Sequence, residues 1–115
     1  MRKEIDQLIE EAREEEKYFQ NYLKYGKKIK KEAEKFLDEV KVFIFGSILK
    51  EDEVPEDIDV LIISPELKTS VEKGKIRAKL WQSLGFSAPF EIHLINPQEY
   101  QDWYRHFIKK KIEVK

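Results

Sequence analysis

Apolar residues recur at helical spacing through the first third of the chain, then give way to short apolar runs separated by polar loops. Ile5, Leu8, Ile9, Ala12, Phe19, Tyr22 and Leu23 follow the helical period, which predicts a helix-rich segment over 2–38. Gly26 is expected to interrupt it, and Ile29, Ala33, Phe36, Leu37 and Val40 continue a stripe toward the first apolar run. That run, Phe43-Ile44-Phe45, ends in Gly46-Ser47, as a buried strand does where it hands over to a tight turn. Asp57 and Asp59 open a second run over 60–63, and Ser64-Pro65 marks the turn after it. Thr69 followed three residues later by Glu72 reads as a capping box. It opens a helix to about Leu84, with Ile76, Leu80, Trp81 and Leu84 inward and Gly85 as terminator. A third strand is expected over 90–95. Asn96-Pro97-Gln98-Glu99 then supplies an N-cap, a proline at the first helical position and a glutamate at the third. The amphipathic helix that follows should present Tyr100, Trp103, Tyr104, Phe107 and Ile108 on one face.

Strands alternating with helices imply an α/β fold, a small mixed sheet covered by helices with a helical N-terminal segment. A chain of 115 residues makes one domain with room for one modest core; 1–38 is its helical N-terminal segment and 40–108 its core unit. Tyr18, Phe19, Tyr22 and Tyr25 form an aromatic group that suits either a partner-binding face or packing against the sheet. The net charge of −1 argues against a general nucleic-acid surface, and the lysine runs at 27–31 and 109–111 read as solvated helix surface. Cysteine is absent, which excludes disulfides and thiolate metal sites. No apolar stretch approaches membrane-spanning length, and the acidic N-terminus is unlike a signal peptide, so a cytoplasmic protein is expected. Lys and Glu dominate a charged fraction of 39%, the bias of thermophile proteins.

The chemistry concentrates between the first two strands. Alternation puts residues i and i+2 of a strand on one face, so Asp57 and Asp59 should point the same way. Two carboxylates side by side at the edge of a core repel each other, and a divalent cation is the usual compensation. Alone, a Gly-Ser turn is common, and an Asp-x-Asp can be a solvated edge. The conjunction carries more weight: both acids stand immediately before four consecutive apolar residues, and Lys50 lies in the intervening loop, placed to close over a phosphate. A turn for phosphate and a carboxylate pair for metal, joined by one loop, describe a nucleotide site. On the third strand Glu91 shares a face with His93 and Ile95, opposite Ile92 and Leu94. It is either a strand-edge partner for a lysine or a third carboxylate. His93 reads as a hydrogen-bonded packing residue, and His106 has no case.

Gly46, Ser47, Asp57 and Asp59 resemble the Gly-Ser-x(about ten)-Asp-x-Asp motif of the DNA polymerase beta-like nucleotidyltransferase superfamily. The short chain resembles its minimal nucleotidyltransferases, which pair with helical HEPN-type partners in toxin–antitoxin operons. The likeness spans 40–108. It implies that Asp57, Asp59 and Glu91 are catalytic and hold two magnesium ions. It also implies that Gly46, Ser47 and Lys50 bind the phosphates of a nucleoside triphosphate, ATP by the same resemblance. Lys73 and Arg77 are further candidates for phosphate contacts. AMP would pass to a tyrosine hydroxyl on the HEPN-type partner as pyrophosphate leaves. Two positions depart from the pattern: Glu51 stands where glycine is common, and Glu56 where serine is, in a loop (48–56) shorter than the family's. A glutamate there adds negative charge beside a phosphate site. A second expectation is therefore a catalytically weak, nucleotide-binding antitoxin that acts by docking. A nucleic-acid acceptor is opposed by the small size and the charge balance, and an oligomer is compatible with either reading.

Overall fold

The computed structural model describes residues 2–85 and 89–115. Two helices come first, α1 (Arg2–Gln20) and α2 (Tyr22–Phe36), and the break between them falls at Asn21, not at Gly26. Asn21 leaves helical geometry (φ −117°, ψ 32°), and its side-chain amide donates to the Lys17 carbonyl at 2.9 Å beside its own backbone N–H at 3.0 Å. A side chain that competes for a helical carbonyl in this way offers the backbone an exit. Gly26 instead sits buried inside α2, where an added Cβ would lie 2.8 Å from Ile44 Cδ1. The glycine lets helix and sheet approach closely. Residues 4–17 of α1 are all exposed. Only its end packs: Tyr18 and Phe19, with Tyr22 and Tyr25, lie half-buried against the core. The Tyr18 ring stands 4.7 Å from Tyr25 and 5.6 Å from Phe90. The aromatic group is therefore packing surface, and the exposed apolar residues of α1 are Ile5, Leu8 and Ile9.

The sheet comprises β1 (Lys41–Phe45), β2 (Ile58–Ile63), β3 (Phe90–Ile95) and β4 (Lys111–Val114), in the order β3-β2-β1-β4. β1 runs antiparallel to β2 and β4, and β2 parallel to β3, which makes the α/β sheet mixed as expected. β4 extends the core unit beyond residue 108. Lys111 opens a strand here instead of ending a helix, because Val114 and Ile112 pair with Val42 and Ile44. Four residues carry little local signal, and the pairing decides their conformation. Helix α3 (Ser70–Leu84) begins at the expected box, with Thr69 Oγ1 accepting from the Glu72 N–H at 3.2 Å and the Glu72 carboxylate accepting from the Thr69 N–H at 3.3 Å. It ends at Gly85, which takes the left-handed conformation.

The two faces of the sheet are covered differently. Val42, Ile44, Val60, Ile62, Ile92 and Leu94 project to one side, where Ile29 and Ala33 of α2 and Ile76, Leu80 and Leu84 of α3 complete the main core. The other side carries Phe45, Leu61 and Ile95, covered by Ile108 and, in part, Tyr100 and Tyr104. These last residues belong to or follow α4 (97–107), which opens at the Asn96/Glu99 capping box and contains a π-helical stretch, Tyr100–Tyr104. The wider π turn puts Tyr100, Tyr104 and Ile108, spaced by four, on the inner side. Trp103 (69% exposed) and Phe107 (53%) then face outward, against the expectation of an inner face that included them.

Candidate functional site

Alternation along β2 and β3 gathers the polar groups on the less covered face. The register pairs Phe45 with Asp59, Asp59 with Glu91, and Leu61 with His93. A hydrogen bond from the Ile58 N–H to the Pro89 carbonyl (2.9 Å) fixes the point where β2 and β3 begin to run together. Asp59 and Glu91 are therefore neighbours on adjacent strands, with His93 one step further on. His93 Nε2 lies 3.2 Å from Asp59 Oδ1 and 3.8 Å from Glu91 Oε1. Ligand-capable atoms of all three residues lie within 4.8 Å of one another. Phe45 and Tyr104 wall the imidazole, their ring centroids 5.2 and 5.9 Å from it. Asp59 and His93 keep about a fifth of their side-chain surface exposed, whereas Glu91 keeps 57%. The carboxylate of Glu91 faces solvent and any ligand arriving from it.

Gly46 follows β1 directly and is placed by what it lacks. Its backbone (φ 87°, ψ −157°) lies in a region open only to glycine. A Cβ built on it would overlap the Asp59 carboxylate. The turn and the aspartate thus occupy adjoining space, and Ser47 begins a single 3-10 turn, Ser47–Leu49. Asp57 lies one residue before β2, two positions from Asp59. Together with Ser47, Glu53, Val54 and Glu56, the two aspartates line a cleft of about 290 Å³. Asp57 shares this cleft but is not a member of the Asp59–Glu91–His93 cluster.

The loop's charges fall differently from the sequence pattern. Glu51 is exposed and does not line the cleft; the loop glutamates that do are Glu53 and Glu56. Lys50 pairs with Glu53 at 3.4 Å. It also borders a second cavity, of about 360 Å³, on the far side of Gly46 with Phe45, Leu49, Phe107, Lys109 and Lys110. The chain thereby brings three lysines near the turn, although 109–110 read locally as solvated helix surface. Lys73 and Arg77 are committed elsewhere: Lys73 Nζ donates to both Glu99 oxygens at 2.7 Å, and Arg77 donates to the Ile92 carbonyl at 2.6 Å. Burial alone would raise the Glu99 carboxyl, but the hydrogen bonds from Lys73 and the Asn96 N–H, with the lysine charge, hold it below the ordinary value. The Tyr104 phenol is pushed up, chiefly by burial and then by the charges of Glu99 and Glu91. Another cavity, of about 430 Å³, lies at the opposite end of β1 and β2 between Val40, Phe43, Ile63 and Tyr100, away from the carboxylates.

The His93 nitrogen stands 3.2 and 3.8 Å from the two carboxylates, separations that one divalent cation can span, since ligands about 2.1–2.2 Å from an ion can stand up to about 4.4 Å apart. His93 is hydrogen-bonded to Asp59 and packed beside two aromatic rings, as expected, and it also joins the two carboxylates in one cluster.

The nucleotidyltransferase domain family matches residues 26–115, from within α2 to the end of β4. The crystal structure of one inferred nucleotidyltransferase is similar, with a TM-score of 0.66 and 26% identity over 77% of this chain and 96% of that one. A second, from Sulfolobus solfataricus and also an inferred nucleotidyltransferase, shares the fold with a TM-score of 0.62 and 19% identity, covering 84% of this chain and 82% of that one. No curated protein matches the chain.

Proposed function

The chain belongs to the nucleotidyltransferase domain family, and we propose that it transfers AMP from ATP to a hydroxyl on a helical partner protein of HEPN type, as the antitoxin of that partner. Nucleotidyl transfer and a nucleotide substrate follow from the family; the donor, the acceptor and the antitoxin role are the proposal. The observation that carries it is the abutment of Gly46 on Asp59. With Glu91 on the next strand, this abutment supports a reading in which the turn binds the triphosphate beside the carboxylates that hold the metal. Asp57, Asp59 and Glu91 are the proposed magnesium-binding and catalytic carboxylates. A bound divalent cation would offset triphosphate charge and make an acceptor hydroxyl easier to deprotonate.

The remaining work falls to the chain's own groups. The Ser47 hydroxyl and the backbone N–H groups of the turn bind the terminal phosphates, and Lys50, with Lys109 and Lys110 beyond Gly46, supplies positive charge beside them. The acceptor oxygen bonds to the α-phosphorus, the bond from that phosphorus to the bridging oxygen breaks, and pyrophosphate departs. Glu91, far more exposed than the neighbouring Asp59, is the proposed acceptor of the hydroxyl proton. A partner can reach the chain through Ile5, Leu8 and Ile9, the apolar stripe that α1 leaves uncovered.

A second reading is favoured by Glu53 and Glu56, whose charges line the cleft that the triphosphate would enter. On that reading the chain binds nucleotide weakly and neutralises its partner by docking. ATP labelled on its α-phosphate, incubated with the protein, magnesium and a co-expressed helical partner, separates the two. Label on the partner that disappears with Asp59→Asn supports transfer. A stable, unlabelled complex supports docking. Label on RNA instead would reject the protein acceptor and retain the enzyme.

A further inference from the structure

We infer that His93 is an inner ligand of the cation site, completing with Asp59 and Glu91 a set of two carboxylates and one imidazole that selects manganese over magnesium. This rests on the reading that these carboxylates hold a divalent cation. The imidazole belongs to the cluster by distance, 3.2 Å from Asp59 and 3.8 Å from Glu91 through the same nitrogen, Nε2. One ring nitrogen, hydrogen-bonded to Asp59, thus faces both carboxylates, which is the orientation a ligand needs. The Phe45 and Tyr104 rings on either side hold the imidazole in place, so little side-chain freedom is lost on binding. Donor chemistry sets the preference. Magnesium loses water reluctantly and takes hard oxygens, whereas manganese accepts oxygen and also stands closer to the ions that imidazole suits. Asp57, outside the cluster, stays on the cleft side of Asp59, where it can serve the triphosphate.

Manganese titrations followed by electron paramagnetic resonance, with magnesium as competitor, test this without any turnover. The wild-type chain is expected to bind manganese more tightly than magnesium and to show nitrogen hyperfine coupling. Isotopic substitution of the histidine nitrogens should change that coupling in the unmutated protein, so the result does not depend on a variant that folds. His93→Gln should lose the coupling and most of the preference while still binding cation through the carboxylates; Asp59→Asn should lose both ions. Manganese bound with no nitrogen coupling, or a preference that survives His93→Gln, would overturn the role of His93 and leave the carboxylate reading intact. A wild-type chain that binds neither ion would overturn both.

Discussion

The two faces of one sheet, built from alternate residues of the same strands, have opposite characters. On the side of α2 and α3, Val42, Ile44, Val60 and Ile62 are wholly buried beneath Ile29, Ala33 and Leu80. On the other side the apolar cluster is smaller, and Asp59, Glu91 and His93 interrupt it, with only Tyr104 of α4 beside the imidazole. Val60 and Asp59 are adjacent in the chain, yet one is sealed and the other faces a cleft. A one-residue slip of β2 would bury the carboxylate and expose the valine, so the closed face fixes the register of the open one. The difference teaches that groups on an open face are held from two directions, His93 by the Phe45 and Tyr104 rings beside it and all three residues by their strands. They inherit their positions from the hydrophobic packing behind them.

The largest expected effect comes from breaking the closed face. Leu80→Ala removes a fully buried side chain between α3 and the sheet and should cost about 3 kcal/mol in denaturant unfolding. Trp103→Ala, on the outward side of α4, should change stability by less than about 0.5 kcal/mol. Equal losses would mean that the second face is as closed as the first. Gly46→Ala comes next. Its backbone region costs a residue with a Cβ about 1–3 kcal/mol, and the methyl would also displace the Asp59 carboxylate. We expect a modest drop in melting temperature with a much larger loss of cation binding; a fall in stability alone would separate the turn from the carboxylate.

Much of this comparison was legible beforehand. The capping boxes at Thr69 and Asn96, the terminator Gly85 and strands β1 to β3 all have local causes, and each stands where the residue pattern placed it. What escaped depended on distant partners. β4 is a strand because β1 lies beside it, and Gly26 is helical because Ile44 lies opposite. The outward turn of Trp103 and Phe107 follows from a π stretch with no sequence signal that we can identify. At the site, the family resemblance pointed to Glu91 on a strand beside the Asp-x-Asp strand, and the β2–β3 register pairs it with Asp59. The loop charges were half legible: sequence position drew attention to Glu51 and Glu56, while the folded loop turns Glu53 and Glu56 to the cleft.

The Lys73–Glu99 pair ties α3 to α4 and so joins the closed side of the molecule to the cover of the open side. Because the Glu99 carboxyl is held low in the folded chain, the pair contributes stability above the ordinary carboxylate range, and that contribution is lost as pH falls through the folded value. Acid unfolding of Glu99→Gln should therefore show a shallower loss of stability below about pH 4 than the parent. The two curves should differ most at neutral pH and converge in acid. Parallel curves would show that the pair contributes nothing, as exposed ion pairs often do.

The smallest effect expected is a gain. Gly74 lies in the middle of α3 on its exposed side, with no atom within 4 Å of where a Cβ would sit. Alanine there meets no neighbour, restricts the unfolded chain and favours the helix, so Gly74→Ala should stabilise by about 0.5–1 kcal/mol. The same chemical change at Gly46 should destabilise, because there the backbone conformation and the adjacent carboxylate both oppose it. Chemical denaturation of the two single variants and the double variant checks the contrast. The sites share no contact, so the double variant should show the sum of the single effects to within about 0.5 kcal/mol. Cation affinity should be unchanged by Gly74→Ala alone. A gain in stability that came with weaker cation binding would mean that α3 stiffness reaches the open face, and that the two sides of the sheet are less independent than their packing indicates.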